Sequence, residues 1–345
     1  MKPALLFLVH RIPYPPNKGD KIRSYHLLRY LSGNYRVFLA AFIDDPNDWQ
    51  YTDTVKQWCE ATHFVKLTPL QAKLRGLKGL VTGEALTIPY YQDSAMAGWV
   101  RNRIANERIE HILVYSSSMA QYVLDPEHEK IRRVIDFVDV DSDKWRQYAE
   151  KKTWPLNWIY SREAKRLLGY EKEIADSFHT SLFVSRQEAE HFKSLAPESA
   201  TKIEYYRNGV DVDSFDPANT LSSPYEATEQ QTLVFTGAMD YWPNEDAVAW
   251  FVDHVFPVIK QKWPHARFYI VGSKPSEKVS MLAQNQDVFV TGRVTDVRPY
   301  LQHATAVVAP MRIARGIQNK VLEAMAMAKP VVVTSMGLEG IDAED

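Results

Sequence analysis

Near its C-terminal end the chain reads Arg315-Gly316-Ile317-Gln318-Asn319-Lys320-Val321-Leu322-Glu323-Ala324-Met325-Ala326-Met327-Ala328. Arg315, Asn319 and Glu323 recur every four residues, so on a helix they stack along one polar face. Ile317, Val321, Ala324, Met325 and Ala328 then supply an apolar face. With Gly316 at the helix start, free backbone N–H groups and the positive end of the helix dipole form an anion site suited to phosphate. Glu323, one to two turns further in, is placed to accept hydrogen bonds from a ribose diol, each charge-assisted bond contributing roughly 1.5–3 kcal/mol. An ordinary amphipathic helix with a solvated polar face would show the same pattern.

A second collection of charge lies at the other end. Residues 1–36 hold seven Lys or Arg and a single acid, Asp20. Much of that charge sits in the loop 11–23, where Lys18, Lys21 and Arg23 are candidates for contacting an acceptor and Gly19 would let the backbone approach an anion. An acceptor bearing a phosphate or a lipid-linked sugar fits this reading; a solvated loop and helix face is the competing one. His10 and Asp139 each end an apolar run and are candidates for acceptor-side hydrogen bonding or proton abstraction, or for capping the next segment. Asp139, Asp141, Asp143 and Glu150 approach the spacing of a calcium loop, but Lys144 stands where that loop needs glycine, and no metal site is expected. Ser116, Ser117, Ser118 and Ser185 lie near strand ends without a His and an acid to activate them. No Walker lysine motif and no glycine-rich dinucleotide fingerprint occurs.

Segment 70–80 places Leu70, Leu74 and Leu77 on one side of a helix beside Lys73, Arg75 and Lys78. Packing of those leucines on their own domain is the first expectation. Peripheral contact with an anionic bilayer is the second.

The elements that must position these groups follow from patterning. The chain has 345 residues, 45% of them apolar, and a net charge of −2. That length suggests about two domains, at ~100–200 residues each. The charge excludes a globally basic nucleic-acid binder. One cysteine, Cys59, allows no internal disulfide and suits a reducing, cytoplasmic setting. Short apolar runs at 4–9, 36–42, 62–67, 111–115, 134–138, 181–184 and 202–206 alternate with amphipathic stretches such as 21–31, 95–106 and 156–178. After a polar stretch at 216–230 the alternation restarts, with runs at 232–235, 266–271, 288–290, 305–308 and 331–334. The expected fold is α/β: two tandem Rossmann-like, doubly wound domains facing across a cleft. Residues 1–215 form the first, 216–230 a linker and 231–345 the second. Ligands of such sheets bind beyond the carboxyl ends of the strands. The last run is not followed by a covering helix pattern, so the second domain is expected to be incomplete.

These segments, with Asn208-Gly209-Val210-Asp211, Thr236-Gly237, Ile270-Val271-Gly272 and Thr291-Gly292-Arg293-Val294, resemble the family 4 retaining glycosyltransferases of GT-B fold. Residues 13–23 and 136–145 are similar to a subgroup of sugar transferases found with bacterial exopolysaccharide systems. The resemblance implies a nucleoside-diphosphate sugar as donor in the second domain and a glycan or lipid-linked acceptor in the first, with no cofactor. It also implies front-face transfer in which the leaving phosphate helps to deprotonate the acceptor. Glu323 matches the second glutamate of the family's pair, the one that holds the ribose. At the position of the first stands Arg315, which cannot accept the bonds a carboxylate accepts. It would pair instead with a donor carboxylate or the diphosphate. The family's Arg and Lys after Thr236-Gly237 are also missing, so Arg293 and Lys320 are the candidates for neutralising the diphosphate, with Gly272 and Gly316 allowing close approach. Two alternatives remain at this point: a nucleotide-sugar epimerase of the same fold, or a catalytically silent sugar-nucleotide scaffold.

Overall fold

Six consecutive buried residues, Ala4–Val9, cannot belong to a strand with one wet face. They need cover on both sides, as in a parallel sheet sandwiched by helices. In the computed structural model, which describes residues 2–226, 231–314 and 317–343, this segment is β1 of such a sheet. The others in the first unit are β2 (Arg36–Ile43), β3 (Ala61–Lys66), β4 (Ile109–Tyr115), β5 (Arg132–Val138), β6 (Thr180–Phe183) and β7 (Ile203–Tyr205). They are parallel throughout, in the order β3-β2-β1-β4-β5-β6-β7. Alternation splits the core in two. Leu6, Leu8, Phe38 and Phe42 point to one face, while Leu5, Phe7, Leu39 and Ile43 point to the other.

The second unit repeats the plan with β8 (Thr232–Thr236), β9 (Arg267–Val271), β10 (Val288–Gly292), β11 (Ala306–Ala309) and β12 (Val331–Val333). Their order is β10-β9-β8-β11-β12, again all parallel. Phe235, Phe268 and Ile270 pack on one side, and Val234, Tyr269, Val271 and Val307 on the other. Each of the twelve apolar runs expected from sequence is a strand. In each sheet the strand order reverses beside the first strand, so the switch points fall at the carboxyl ends of β1 and β4 and of β8 and β11.

The chain divides at Arg207 and Asn208. Residues 216–226 of the stretch expected as a linker pack on the second unit, while 227–230 lie outside the described residues. Phe215, Leu221 and Tyr225 pack against its core, and the Tyr225 hydroxyl donates to the Tyr300 carbonyl at 2.6 Å. A few well-spaced apolar side chains suffice to anchor a segment whose average composition is polar.

The 69–82 region departs from the first expectation. Its helices, Pro69–Gly76 and Lys78–Thr82, bury Ala72, Gly76 and Gly79 and turn Leu70, Leu74 and Leu77 to solvent. Among the described residues, no helix is long and apolar enough to cross a membrane.

Candidate functional site

At the β8–β11 switch point, Lys320 is 8% exposed. Its helix, Asn319–Ala326, follows β11 and buries Val321 and Ala324 beside Lys320. The Lys320 Nζ donates to Asn244 Oδ1 at 2.7 Å and approaches Met311 Sδ at 3.8 Å. It also stands 4.1 Å from the centre of the Phe235 ring. Asn244 is fixed in turn, donating to the Ala238 carbonyl at 2.9 Å. An ammonium has three N–H donors and its burial is costly without anionic partners. One amide oxygen, a thioether and a ring face leave it under-satisfied. Burial therefore pushes its pKa down to about 7, against the opposing pull of Glu323.

Glu323 lies one turn further along, half-buried. Burial pushes its carboxyl up to about 7, with Lys320 acting in the opposite direction. Asn319 accepts a hydrogen bond from Asn208 Nδ2 at 3.2 Å. Lys320, Glu323 and Asn319 are thus brought together on one helix, as the sequence suggested. The helix itself begins three residues later than expected. Arg315 and Gly316 lie outside the described residues. The expected apolar face also shifts: Met325 is exposed, and Ala328 falls past the helix end with φ of 52°. Lys320 takes the buried position instead.

Two glycines frame this pocket for reasons of space. A Cβ on Gly237 would stand 2.7 Å from Asn244 Nδ2 and 3.4 Å from Lys320 Nζ. A Cβ on Gly272 would fall 1.6 Å from the Gly237 carbonyl oxygen. Gly272, expected to let an anion approach, thus serves first to let β9 run against the backbone after β8. Arg293 follows Gly292, whose φ is +68°. It is exposed and makes no hydrogen bond or ion pair among the described residues.

In the first unit, His10 ends β1 at its switch point. Its ring stacks on Tyr115 with centroids 5.8 Å apart, and Nε2 lies 3.4 Å from Asp20 Oδ2. Asp20 also pairs with Arg11, which reaches Asp44 at 2.9 Å. Burial works to raise the Asp20 carboxyl, but the hydrogen bond with His10 and the charge of Arg11 outweigh it and hold the group well below the usual range. Lys18 precedes the helix Gly19–Asn34, which Gly19 opens.

Lys21 and Arg23 are not turned toward an acceptor. Lys21 is 2% exposed and donates to Asp48 at 2.8 Å. Arg23 donates to both oxygens of Asp136, at 2.8 and 3.3 Å, and lies 3.5 Å from the Tyr206 ring centre. Asp139 follows Val138, whose φ of +70° is strained for a β-branched residue. It receives Lys144 Nζ at 2.8 Å, which also reaches Asp141 at 3.1 Å. Asp143 is held by Arg146 at 2.6 Å. The acids that approached calcium spacing are thus each matched to a cation, and no cluster of three metal-ligating side chains occurs among the described residues.

Sequence reasoning did not find Asn244, Phe235 or Met311, which build the Lys320 pocket. Asn244 lies 76 residues from Lys320 and Phe235 further still, while Met311, 9 residues away, precedes the helix in a stretch that no local pattern marks. Asp136 was noticed only within a motif, without its Arg23 and Tyr206 partners.

Solved structures share this architecture. WaaG, a glycosyltransferase involved in lipopolysaccharide biosynthesis, aligns with a TM-score of 0.64 at 14% identity, covering 96% of this chain and 81% of its own. HepE of Anabaena in complex with UDP and glucose gives 0.60 at 13%, covering 97% and 81%. The E. coli trehalose-6-phosphate protein bound with UDP-2-fluoro glucose gives 0.57 at 11%, covering 96% and 84%. No curated protein sequence matches the chain. Two parallel-sheet units of this kind are the GT-B fold. Residues 230–344 match the family model described as glycosyl transferases group 1. That match makes residues 230–344 similar to glycosyl transferases group 1, on a fold that the solved structures share over nearly the whole chain.

Proposed function

We propose that the protein moves a sugar, with retention at the anomeric carbon, from a nucleoside diphosphate to a glycan or lipid-linked acceptor in the assembly of exopolysaccharide or another cell-surface polysaccharide. The observation that carries this reading is the buried Lys320 ammonium with Asn244 as its oxygen partner. A diphosphate would supply the negative charge this pocket lacks, and a leaving diphosphate is stabilised by such a pre-placed cation as charge develops on it. Glu323, one turn away, would accept the ribose hydroxyls. Exposed Arg293 would add charge from β10. No metal is invoked. The acceptor would approach the end of β1, where His10 and Asp20 stand, and the protein would work at the cytoplasmic face of a membrane that displays such acceptors. The relatives solved with UDP or UDP-sugars make UDP the first nucleotide to try.

Calorimetric titration with UDP, GDP, ADP and TDP, beside Glu323→Ala, tests the reading. One nucleotide should bind in the micromolar range, and Glu323→Ala should weaken it about 10- to 150-fold, the cost of one charge-assisted hydrogen bond at roughly 1.5–3 kcal/mol. Absence of binding by all four would remove the donor site. Tight binding of a nucleotide sugar without transfer to any acceptor would favour a silent scaffold. Rearrangement of the sugar without acceptor would favour an epimerase.

A further inference from the structure

The Pro69–Gly76 and Lys78–Thr82 helices are packed inside out. An amphipathic segment of a globular protein turns its leucines inward, but here small residues do the packing. A Cβ on Gly76 would stand 3.2 Å from the Leu86 carbonyl oxygen, and one on Gly79 would stand 3.1 Å from that of Glu84. A larger residue at 76 or 79 would crowd the 84–86 backbone at this distance. The leucines therefore face out: Leu74 is 61% exposed, and nearby Val81 is 91% exposed.

A second apolar cluster lies beside the first. The helix Leu156–Ser177 clasps this region: Arg162 donates to the carbonyls of Gly79 and Glu84 at 2.5 and 3.1 Å, and Glu163 accepts from the amides of Leu86 and Thr87 at 2.5 and 3.0 Å. One to two turns before that clasp, Trp154 is 80% and Trp158 57% exposed. Leu156 between them is exposed as well. Exposed leucines and tryptophans gathered on two segments that are hydrogen-bonded to one another point to an interaction site rather than to scattered surface residues.

The charges around it say what kind of partner it fits. Lys73, Lys78, Lys151, Lys152, Lys165 and Arg166 are exposed on the same two segments. Within 69–84 and 151–166, Glu84 is the sole exposed acid. In a chain of net charge −2, this is a local concentration of cations around leucine and tryptophan. Tryptophan prefers the headgroup level of a bilayer, leucine the acyl boundary beneath it, and lysine the anionic lipid phosphates. We infer that this face docks the first unit on an anionic lipid bilayer. Leu70, Leu74, Leu77, Trp154 and Trp158 enter the interface, and the lysines meet the phosphates. The docking is interfacial and stands independently of the donor chemistry.

Vesicle flotation of the full chain tests it, with phosphatidylcholine alone and with added phosphatidylglycerol, at low and high salt. Binding should require phosphatidylglycerol and weaken with salt. Leu74→Glu/Leu77→Glu should reduce partitioning about tenfold or more, as expected when two apolar side chains no longer enter the bilayer, while nucleotide affinity and circular dichroism stay those of the parent. Lys73→Ala/Lys78→Ala should give a smaller loss and a shallower salt dependence. Retention of the parent in the supernatant with anionic vesicles at low salt would overturn the inference. So would undiminished binding by the double glutamate variant, which would put the contact elsewhere. A concentration-dependent dimer that the same substitutions dissolve, without vesicle binding, would assign the face to a second copy of the chain and overturn it too.

Discussion

The two switch points treat positive charge in opposite ways. In the first unit the cations beside the switch point are matched to carboxylates, whereas Arg133, at the opposite end of β5, is buried on the Val123 and Ser177 carbonyls. Lys21 meets Asp48, Arg23 meets Asp136, and Arg11 bridges Asp20 and Asp44. In the second unit, Lys320 is buried with an amide oxygen, a sulfur and a ring face. A basic sequence therefore does not identify an anion site. What identifies one is a cation at the ligand-binding edge of the sheet that is buried and left short of negative charge, since such a group gains most when a ligand brings it.

The sharpest way to break this comparison is to remove one cation from each side. Arg23→Met leaves Asp136, which is fully buried, without its guanidinium. Breaking a buried pair from one side costs about 3–5 kcal/mol. Urea unfolding should show that loss in the first unit's transition, and Arg23→Met/Asp136→Leu should recover part of it because no orphan charge remains. Nucleotide affinity should stay that of the parent. An Arg23→Met protein of unchanged stability would show that the pair is not structural, and Arg23 would return as an acceptor-site candidate.

Lys320→Met should behave in the reverse sense. Among the described residues no carboxylate ion-pairs with this ammonium, so replacing it with an apolar chain of similar length should leave the second unit at least as stable. Nucleotide affinity should fall about 10- to 150-fold, corresponding to roughly 1.5–3 kcal/mol for a charged hydrogen bond. Calorimetry and urea unfolding on the same preparation separate the two quantities. Loss of stability without loss of affinity would make Lys320 a core residue like Arg23.

That contrast also explains what was legible in the sequence. The strands were, because a parallel sheet covered on both faces needs continuous apolar runs, and Ala4–Val9 has no competing role. Glu323 stood out as a candidate because it recurs with Arg315 and Asn319 every four residues, and Lys320 because the resemblance left the diphosphate without its usual cations. Their environment was not. Whether Lys320 is buried against Asn244 or solvated like Arg293 depends on β8 and on the helix Trp242–Trp250, far away in sequence. The same limit misassigned Lys21 and Arg23, whose partners Asp48 and Asp136 lie 27 and 113 residues along the chain. The leucines at 70–77 show a different failure. Their spacing marks a helix face correctly, but spacing does not say which face turns inward. Gly76 and Gly79 are the ones that pack.

The last prediction uses protons to tell the two sides apart. Lys320 falls from an ordinary value of 10.5 to about 7 through burial, so in the free protein it loses its proton as pH rises past neutrality. A diphosphate favours the charged form, and binding above about pH 7 must then take up a proton. Affinity should fall with rising pH there, by up to tenfold per unit. Stability of the free protein should move the other way. Between about 7 and 10.5 the unfolded chain holds the Lys320 proton that the folded chain has released, so this group's contribution to stability rises with pH across that window. Glu323 acts on the acid side: its folded pKa is raised from 4.5 to about 7, so its contribution to stability falls as pH rises across that range, while its ionisation favours holding a ribose. The acid limb of binding is shared with the nucleotide's own terminal phosphate, which titrates at about 6, so the alkaline limb is the cleaner test. Titrations above neutrality in buffers of different ionisation enthalpy should show proton uptake in the parent and none in K320M, with the alkaline fall in affinity flattened. An unchanged alkaline fall in K320M would place the titrating cation elsewhere and overturn the claim that one unmatched buried charge distinguishes this switch point from the other.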